Sequence, residues 1–139
     1  MAAKHVMVEI ALTSNDVILG ISGKDHPFPM YRKFGVPVAL STDDEGVSRS
    51  DMTHEYVRAV QTYDFLGYKE LKRMARMSLE HSFLAGSSLW VSESRMVPAC
   101  ATDRAAKVPS VCQKFLDTNQ RAQLQWKLEG QFAAFEKKF

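Results

Sequence analysis

Two short apolar runs joined by one compact connection set the strongest limit on what this chain can fold into. Residues 6–12 (Val-Met-Val-Glu-Ile-Ala-Leu) are mostly apolar and lead into the polar Thr13-Ser14-Asn15; residues 36–41 (Val-Pro-Val-Ala-Leu-Ser) repeat the pattern. Runs of this length bounded by turn residues read as strands buried on both faces, the first followed by a polar loop. Between them lie a Gly-containing loop, a His26-Pro27 turn and a helical stretch from Pro29 to Phe34 that Gly35 ends. Strand, loop, helix, strand is a βαβ-type unit, so the fold class is α/β. Two such strands are not a finished sheet, because open edges leave backbone donors and acceptors without partners. Everything after Ser41 reads as helix or loop, so the missing strands are expected from a preceding part of a longer protein or from another copy of the chain.

Beyond the second strand, Tyr56, Val57, Val60 and Tyr63 recur at helical spacing behind the capping candidates Ser50, Asp51 and Thr53, which predicts a helix over about 53–65. After Gly67, Leu71, Met74, Ala75, Ser78, Leu79 and Ser82 share one face, while Lys69, Glu70, Lys72, Arg73 and Arg76 take the other. A second helix is expected there, stopping near Gly86. Residues 86–117 carry Ser, Pro, Ala and both cysteines with little periodicity and read as a loop or insertion. In 118–139, Leu124, Leu128, Phe132 and Phe135, with Trp126 alongside, predict an amphipathic helix ending in Lys137-Lys138, which suits the negative end of its dipole. The chain thus divides into 1–85, 86–117 and 118–139.

Composition removes several classes. With 45% hydrophobic and 24% charged residues in 139, the chain is neither disordered nor fibrous. Its longest uncharged run, residues 82–92, is far short of the roughly 18 apolar residues of a membrane helix, and no export signal is visible at its start, so no membrane partner is expected. Residues 1–68 carry 6 basic and 9 acidic side chains and residues 69–139 carry 12 and 7. The basic half alternates Lys and Arg with acids along helix-like segments instead of clustering them with aromatics, so no nucleic-acid partner is expected. Two cysteines make no zinc site by themselves, and Cys100 and Cys112 are too far apart for a redox CxxC. They suit either a disulfide in an oxidising compartment or two thiols in a cytosolic protein. Localisation is therefore open: cytoplasmic by default, exported or periplasmic if the two cysteines are bonded.

The sharpest local feature is Leu40-Ser41-Thr42-Asp43-Asp44-Glu45, an apolar strand that ends in three consecutive carboxylates. Like charges at the end of a buried strand call for a cation or for donors, which points to a metal or a cationic partner. In parallel α/β folds the C-terminal strand ends are where chemistry sits. The alternative is an acidic loop that caps the next helix. Thr13-Ser14-Asn15, ending the other strand, either lines a pocket or caps a polar loop.

These residues resemble the adenosine deaminase-like metal-dependent hydrolases, a family that includes adenosine, adenine and AMP deaminases and the adenosine deaminase-related growth factors. The resemblance covers most of residues 6–85. It is carried by Val8-Glu9-Ile10-Ala11-Leu12-Thr13-Ser14-Asn15, Leu19-Gly20, His26-Pro27 and Gly35-Val36-Pro37-Val38-Ala39-Leu40-Ser41-Thr42-Asp43-Asp44. It continues through His54-Glu55-Tyr56 and Leu71-Lys72-Arg73-Met74-Ala75-Arg76-Met77-Ser78-Leu79-Glu80-His81-Ser82-Phe83. The resemblance implies the C-terminal part of a TIM (β/α)8 barrel: its last two strands and outer helices, incomplete as a barrel because a whole one needs about 200 residues or more. It implies that Asp43 ligates a catalytic Zn2+ and that Asp44 binds the purine of a nucleoside substrate at N7. The reaction implied is adenosine plus water to inosine plus ammonia.

The departures matter as much. The other metal-binding histidines of the family, the histidine that orients the water and the glutamate that protonates the ring would all lie upstream, so no catalytic residue is expected within this chain and the chain alone should be inactive. His5, His26, His54 and His81 form neither HxH nor HExxH; His26 and His54 match helper positions at most. Many members have Pro after the aspartate pair, where this chain has Glu45, which leaves loop path and substrate subtype open. The rival readings are a non-catalytic remnant or interaction fragment, and another amidohydrolase activity such as AMP or adenine deamination.

Overall fold

In the computed structural model, which describes residues 1–101 and 108–139, both apolar runs form strands, each trimmed to three residues. β1 (Val8–Ile10) and β2 (Val38–Leu40) pair in parallel, with Val8 opposite Val38, Glu9 opposite Ala39 and Ile10 opposite Leu40. The ladder extends by one bond at each end: Val8 N–H donates to the Pro37 carbonyl and Ser41 N–H to the Ile10 carbonyl, both at 2.9 Å. β2 is buried along its whole length, as a run apolar on both faces should be. β1 is not. Glu9 is exposed between half-buried Val8 and buried Ile10, because a carboxylate on one face has no buried partner to offset its desolvation.

Thr13-Ser14-Asn15 is not a loop. These residues open α1 (Leu12–Leu19), a correction to the sequence expectation. Short hydroxyl side chains favour loops and helix starts alike, and what selects the helix is an acceptor 42 positions away, the Glu55 carboxylate on the Thr13 N–H. α2 (Phe28–Lys33) ends where Gly35 takes φ +65°. Gly35 N–H donates to the Arg32 carbonyl and Val36 N–H to the Tyr31 carbonyl, a Schellman end that any Cβ would strain.

Three helices complete residues 1–81, which form one compact unit. They are the short α3 (Glu45–Ser48), α4 (Met52–Thr62) and α5 (Tyr68–Glu80). Asp51 caps α4 by accepting the His54 N–H at 2.7 Å. α5 stops at Glu80, well before Gly86. The core gathers Ile10, Leu12, Val38, Leu40, Ala59, Leu66 and Met74 around a fully buried Phe28. The Phe28 ring meets Tyr63 edge-on at 5.1 Å and Phe65 at 5.8 Å, while the Tyr63 hydroxyl donates to the Gly23 carbonyl. Among the described residues this sheet has two strands and no closed barrel.

Residues 82–139 form a second compact unit, and here the expectation of loop followed by one helix fails. β3 (Trp90–Ser92) and β4 (Arg95–Met96) make a short antiparallel hairpin with Trp90 opposite Met96. Strands of two or three residues are too short for a period-two pattern to register, so the statement that no strand follows Ser41 is overturned. A 3-10 turn (Pro98–Cys100) and α6 (Ser110–Thr118) follow. Residues 102–107 of the expected loop lie outside the described residues. Cys100 and Cys112 are bonded, with Cα atoms 4.8 Å apart, and are fully buried with Leu89, Leu116 and Ala122.

The last helix is α7 (Gln120–Glu136), separated from α6 by Asn119 in extended backbone. Its buried positions are Ala122, Gln125 and Glu129, whereas Leu124, Leu128 and Phe132 of the predicted stripe are half-buried and Phe135 is exposed. Gln125 is tolerated inside because its Oε1 accepts the Leu89 N–H at 2.8 Å. Gly86, expected as a helix stop, has another task. At φ +91° a Cβ there would sit 2.6 Å from Asn119 Cα, so the backbones cross closely only because the side chain is missing. Among the described residues no helix is long and apolar enough to cross a membrane.

Candidate functional site

Parallel pairing brings the C-terminal ends of β1 and β2 to the same edge of the sheet, and the chain leaves each end in a different way. After Ile10 it turns within two residues into α1; after Leu40 it runs through Ser41 and Thr42 to the two aspartates and into α3. Asp43 takes φ +55°, a left-handed conformation uncommon outside glycine and best tolerated by Asp and Asn. That bend turns the carboxylate toward the end of the neighbouring strand, where Ser14 Oγ donates to Asp43 Oδ2 at 2.8 Å. Asp43 N–H donates to Ser41 Oγ at 3.2 Å and Thr42 Oγ1 to the Asp43 carbonyl at 3.3 Å, so the turn carries its own bonds. The side chain is exposed, and among the described residues its second oxygen, Oδ1, has no partner.

Asp44 faces a different task. As N-cap of α3 its Oδ1 accepts the Gly46 and Val47 N–H groups at 3.1 and 3.2 Å, and its carbonyl accepts Ser48 Oγ at 2.8 Å. The capping alternative therefore describes one of its oxygens, and Oδ2 has no partner among the described residues. The two carboxylates diverge: one is held from α1, the other is turned into α3.

The buried polar side chains behind this edge include residues that sequence reasoning placed elsewhere or missed. His26 is buried, its Nδ1 accepting the Phe28 N–H at 3.1 Å and its Nε2 lying 3.1 Å from the Asn15 side-chain amide. Burial first, and the nearby Arg58 guanidinium second, hold its pKa below the usual 6.5, so the ring is neutral near pH 7. It braces the start of α2 against α1. His54 is exposed on the first turn of α4. Arg58 forms an ion pair with Asp16 and donates to Thr13 Oγ1 at 3.4 Å. Glu55 is fully buried, with Thr13 N–H 3.3 Å from each of its oxygens and Ser50 Oγ donating to Oε1 at 3.0 Å. Arg58 is not named from sequence, and Glu55 enters there only within the stretch His54-Glu55-Tyr56, with no role of its own. A signal existed for Glu55, since it stands four and eight positions before Ala59 and Tyr63 and so shares their buried face.

The donor chemistry suits a metal only in part. Asp43 offers a charged, oriented carboxylate with an open oxygen, yet among the described residues no group of three or more His, Cys, Asp or Glu side chains is placed to hold an ion. A catalytic zinc takes about three protein ligands, of which the Asp43 carboxylate could supply one.

Comparison with known proteins bears on the same stretch. Residues 1–89 match the family model described as adenosine deaminase. An adenosine deaminase of Shewanella loihica is 34% identical over 88 residues, covering 63% of this chain and 26% of the relative. One from Clostridium acetobutylicum is 38% identical over 60 residues, covering 43% and 18%, and one from Shewanella denitrificans is 34% identical over 86, covering 60% and 26%. The chain thus spans about a quarter of the length of the curated relatives it matches, or less. No solved structure matches. With the family model covering well over half of the chain, and the parallel strand ends and the Asp43-Asp44 pair inside the matched region, the chain belongs to the adenosine deaminase family.

Proposed function

We propose that this chain supplies the last two strands of a deaminase-type (β/α)8 barrel and, with the rest of that barrel, takes part in zinc-dependent deamination of a purine nucleoside, adenosine to inosine. The observation that carries this reading is the Asp43 carboxylate at a C-terminal strand end, bent outward by a left-handed backbone and oriented by Ser14, with one oxygen left open. Zinc, when bound, would lower the pKa of a coordinated water so that hydroxide exists near neutral pH. Asp43 would supply one ligand oxygen, and Ser14 would hold the carboxylate at one rotamer so that little ordering is left for binding. Asp44 Oδ2 is the oxygen left to meet the purine ring, since Oδ1 is engaged by α3; tying one oxygen to two backbone N–H groups fixes where the other points. The remaining metal ligands and the proton-transfer groups come from outside these residues.

The matched relatives and the strand-end geometry support this reading over that of a non-catalytic remnant, in which Asp44 serves α3 alone. The Cys100–Cys112 bond supports an oxidising compartment such as the periplasm or the cell exterior, since cytosolic reductants keep such pairs as thiols. The test joins this chain to the barrel residues that precede the matched segment in the Shewanella loihica relative and follows zinc content and the loss of adenosine, AMP and adenine side by side. Zinc uptake and adenosine turnover are expected, with Asp43→Asn abolishing both and Asp44→Asn abolishing turnover while zinc remains. Full zinc uptake by Asp43→Asn would sink the ligand assignment, and preference for AMP or adenine would move the substrate.

A further inference from the structure

We propose that Glu55 is a positioning residue for the Asp43 carboxylate, acting through the first turn of α1. Glutamate is among the residues least often buried, and an interior charge is costly unless donors surround it. Glu55 is nevertheless fully buried on α4, with both oxygens on the Thr13 N–H and Oε1 also accepting Ser50 Oγ. Thr13 is the second residue of α1, where the backbone N–H has no partner within the helix and where the positive end of the helix dipole favours a carboxylate. The next residue is Ser14, whose Oγ donates to Asp43. On the flank of the same turn Arg58, one helical turn beyond Glu55, donates to Thr13 Oγ1 and pairs with Asp16. Two charged side chains of α4 thus grip the turn that carries Ser14, and α4 is itself anchored in the core by Ala59. Fixing that turn fixes the hydroxyl, and the hydroxyl fixes the carboxylate. The chemical consequence of this linkage rests on the reading of Asp43 as a metal ligand; the linkage itself does not.

The test uses the 139-residue chain without metal, reading amide resonances and amide hydrogen exchange by NMR in the wild type, Glu55→Ala, Glu55→Gln, Ser14→Ala and the double variants. Glu55→Ala should speed exchange at Thr13 by about tenfold, the loss of one buried hydrogen bond to a charged acceptor. It should also shift the Asp43 and Asp44 amides while leaving β2 and α5 unchanged. Ser14→Ala should shift the same two amides and leave Thr13 protected. In the double variant the Asp43 shift should equal that of Ser14→Ala alone, since both changes cut the same path. Faster exchange spread evenly over residues 1–81, an unmoved Asp43 resonance, or additive shifts would overturn the proposal. Should Glu55→Ala not fold, Glu55→Gln, which keeps an acceptor, decides: a smaller Asp43 shift that vanishes in the Ser14→Ala background supports the linkage, and one that persists there refutes it. Because no metal is present, failure of the assembled protein to bind zinc or turn over adenosine would sink the proposed function and leave this result standing.

Discussion

Residues 1–81 hold their polar groups with side-chain hydrogen bonds strung across an apolar core, whereas residues 82–139 lean on a covalent bond at the centre of theirs. The first unit buries aromatic rings and the whole of β2, and its buried acid, Glu55, and buried histidine, His26, are satisfied by donors and acceptors of neighbouring elements. The second has fewer than 60 residues, a length at which apolar burial alone gives marginal stability, and two bonded cysteines stand among its few buried side chains. The difference teaches where each unit tolerates change. The first depends on geometry that carries over to the strand-end carboxylates; the second depends on a link that redox conditions can remove.

The sharpest way to break the contrast is Phe28→Ala, which deletes the ring that Tyr63 and Phe65 pack against and should destabilise residues 1–81 by about 3–5 kcal/mol. Denaturant melts read by site-resolved hydrogen exchange should leave residues 82–139 untouched. The converse follows from reduction or Cys112→Ser, which opens a loop of sequence separation 12 and should remove about 3 kcal/mol from the second unit alone. Equal loss in both units would show that they do not melt independently. Gly86→Ala introduces a Cβ 2.6 Å from Asn119 Cα at a left-handed φ and should cost the second unit about 1–3 kcal/mol, read as a lowered melting temperature.

The smallest effect separates the units by pH. Because the folded pKa of His26 lies below the ordinary 6.5, both states are neutral above that pH and nothing is lost. As pH falls below 6.5 the unfolded chain takes up the proton first, so the first unit weakens until the pH reaches the lower folded value and then levels off. Residues 82–139 contain no histidine and should show no such slope between pH 7 and 5, and His26→Gln should flatten it in the first unit. A slope unchanged in His26→Gln would assign it to another group.

Much of this molecule was legible because its local signals agreed with its tertiary outcome. The apolar runs became paired parallel strands, Gly35 ended α2, Asp51 capped α4 and the Asp43-Asp44 pair stood at a strand end. Each depends on residues close in sequence: period, a positive φ, a side chain reaching its own backbone three residues on. Thr13-Ser14-Asn15 was misread because its side chains suit a loop or a helix start, and the arbiter, Glu55, is remote. The β3–β4 hairpin was missed because its strands are too brief to show a pattern. The predicted stripe of α7 was displaced because Gln125, given an acceptor's role toward the Leu89 N–H, is as buried as a leucine would be.

The sequence by itself therefore determined the α/β class, the family and the identity of the two carboxylates that stand at the strand end. Tertiary structure decided how Asp43 is held, by a hydroxyl 29 positions away, whereas Asp44 takes its partners two and three residues on, from the short helix it caps, as the capping alternative allowed. It also decided that Cys100 and Cys112 are one bonded pair. The physical reason is the same in each case. A residue's type and its near neighbours set which bonds it can make, but the partner is chosen by the folded chain, and a partner a dozen or more positions away leaves no mark in a local pattern.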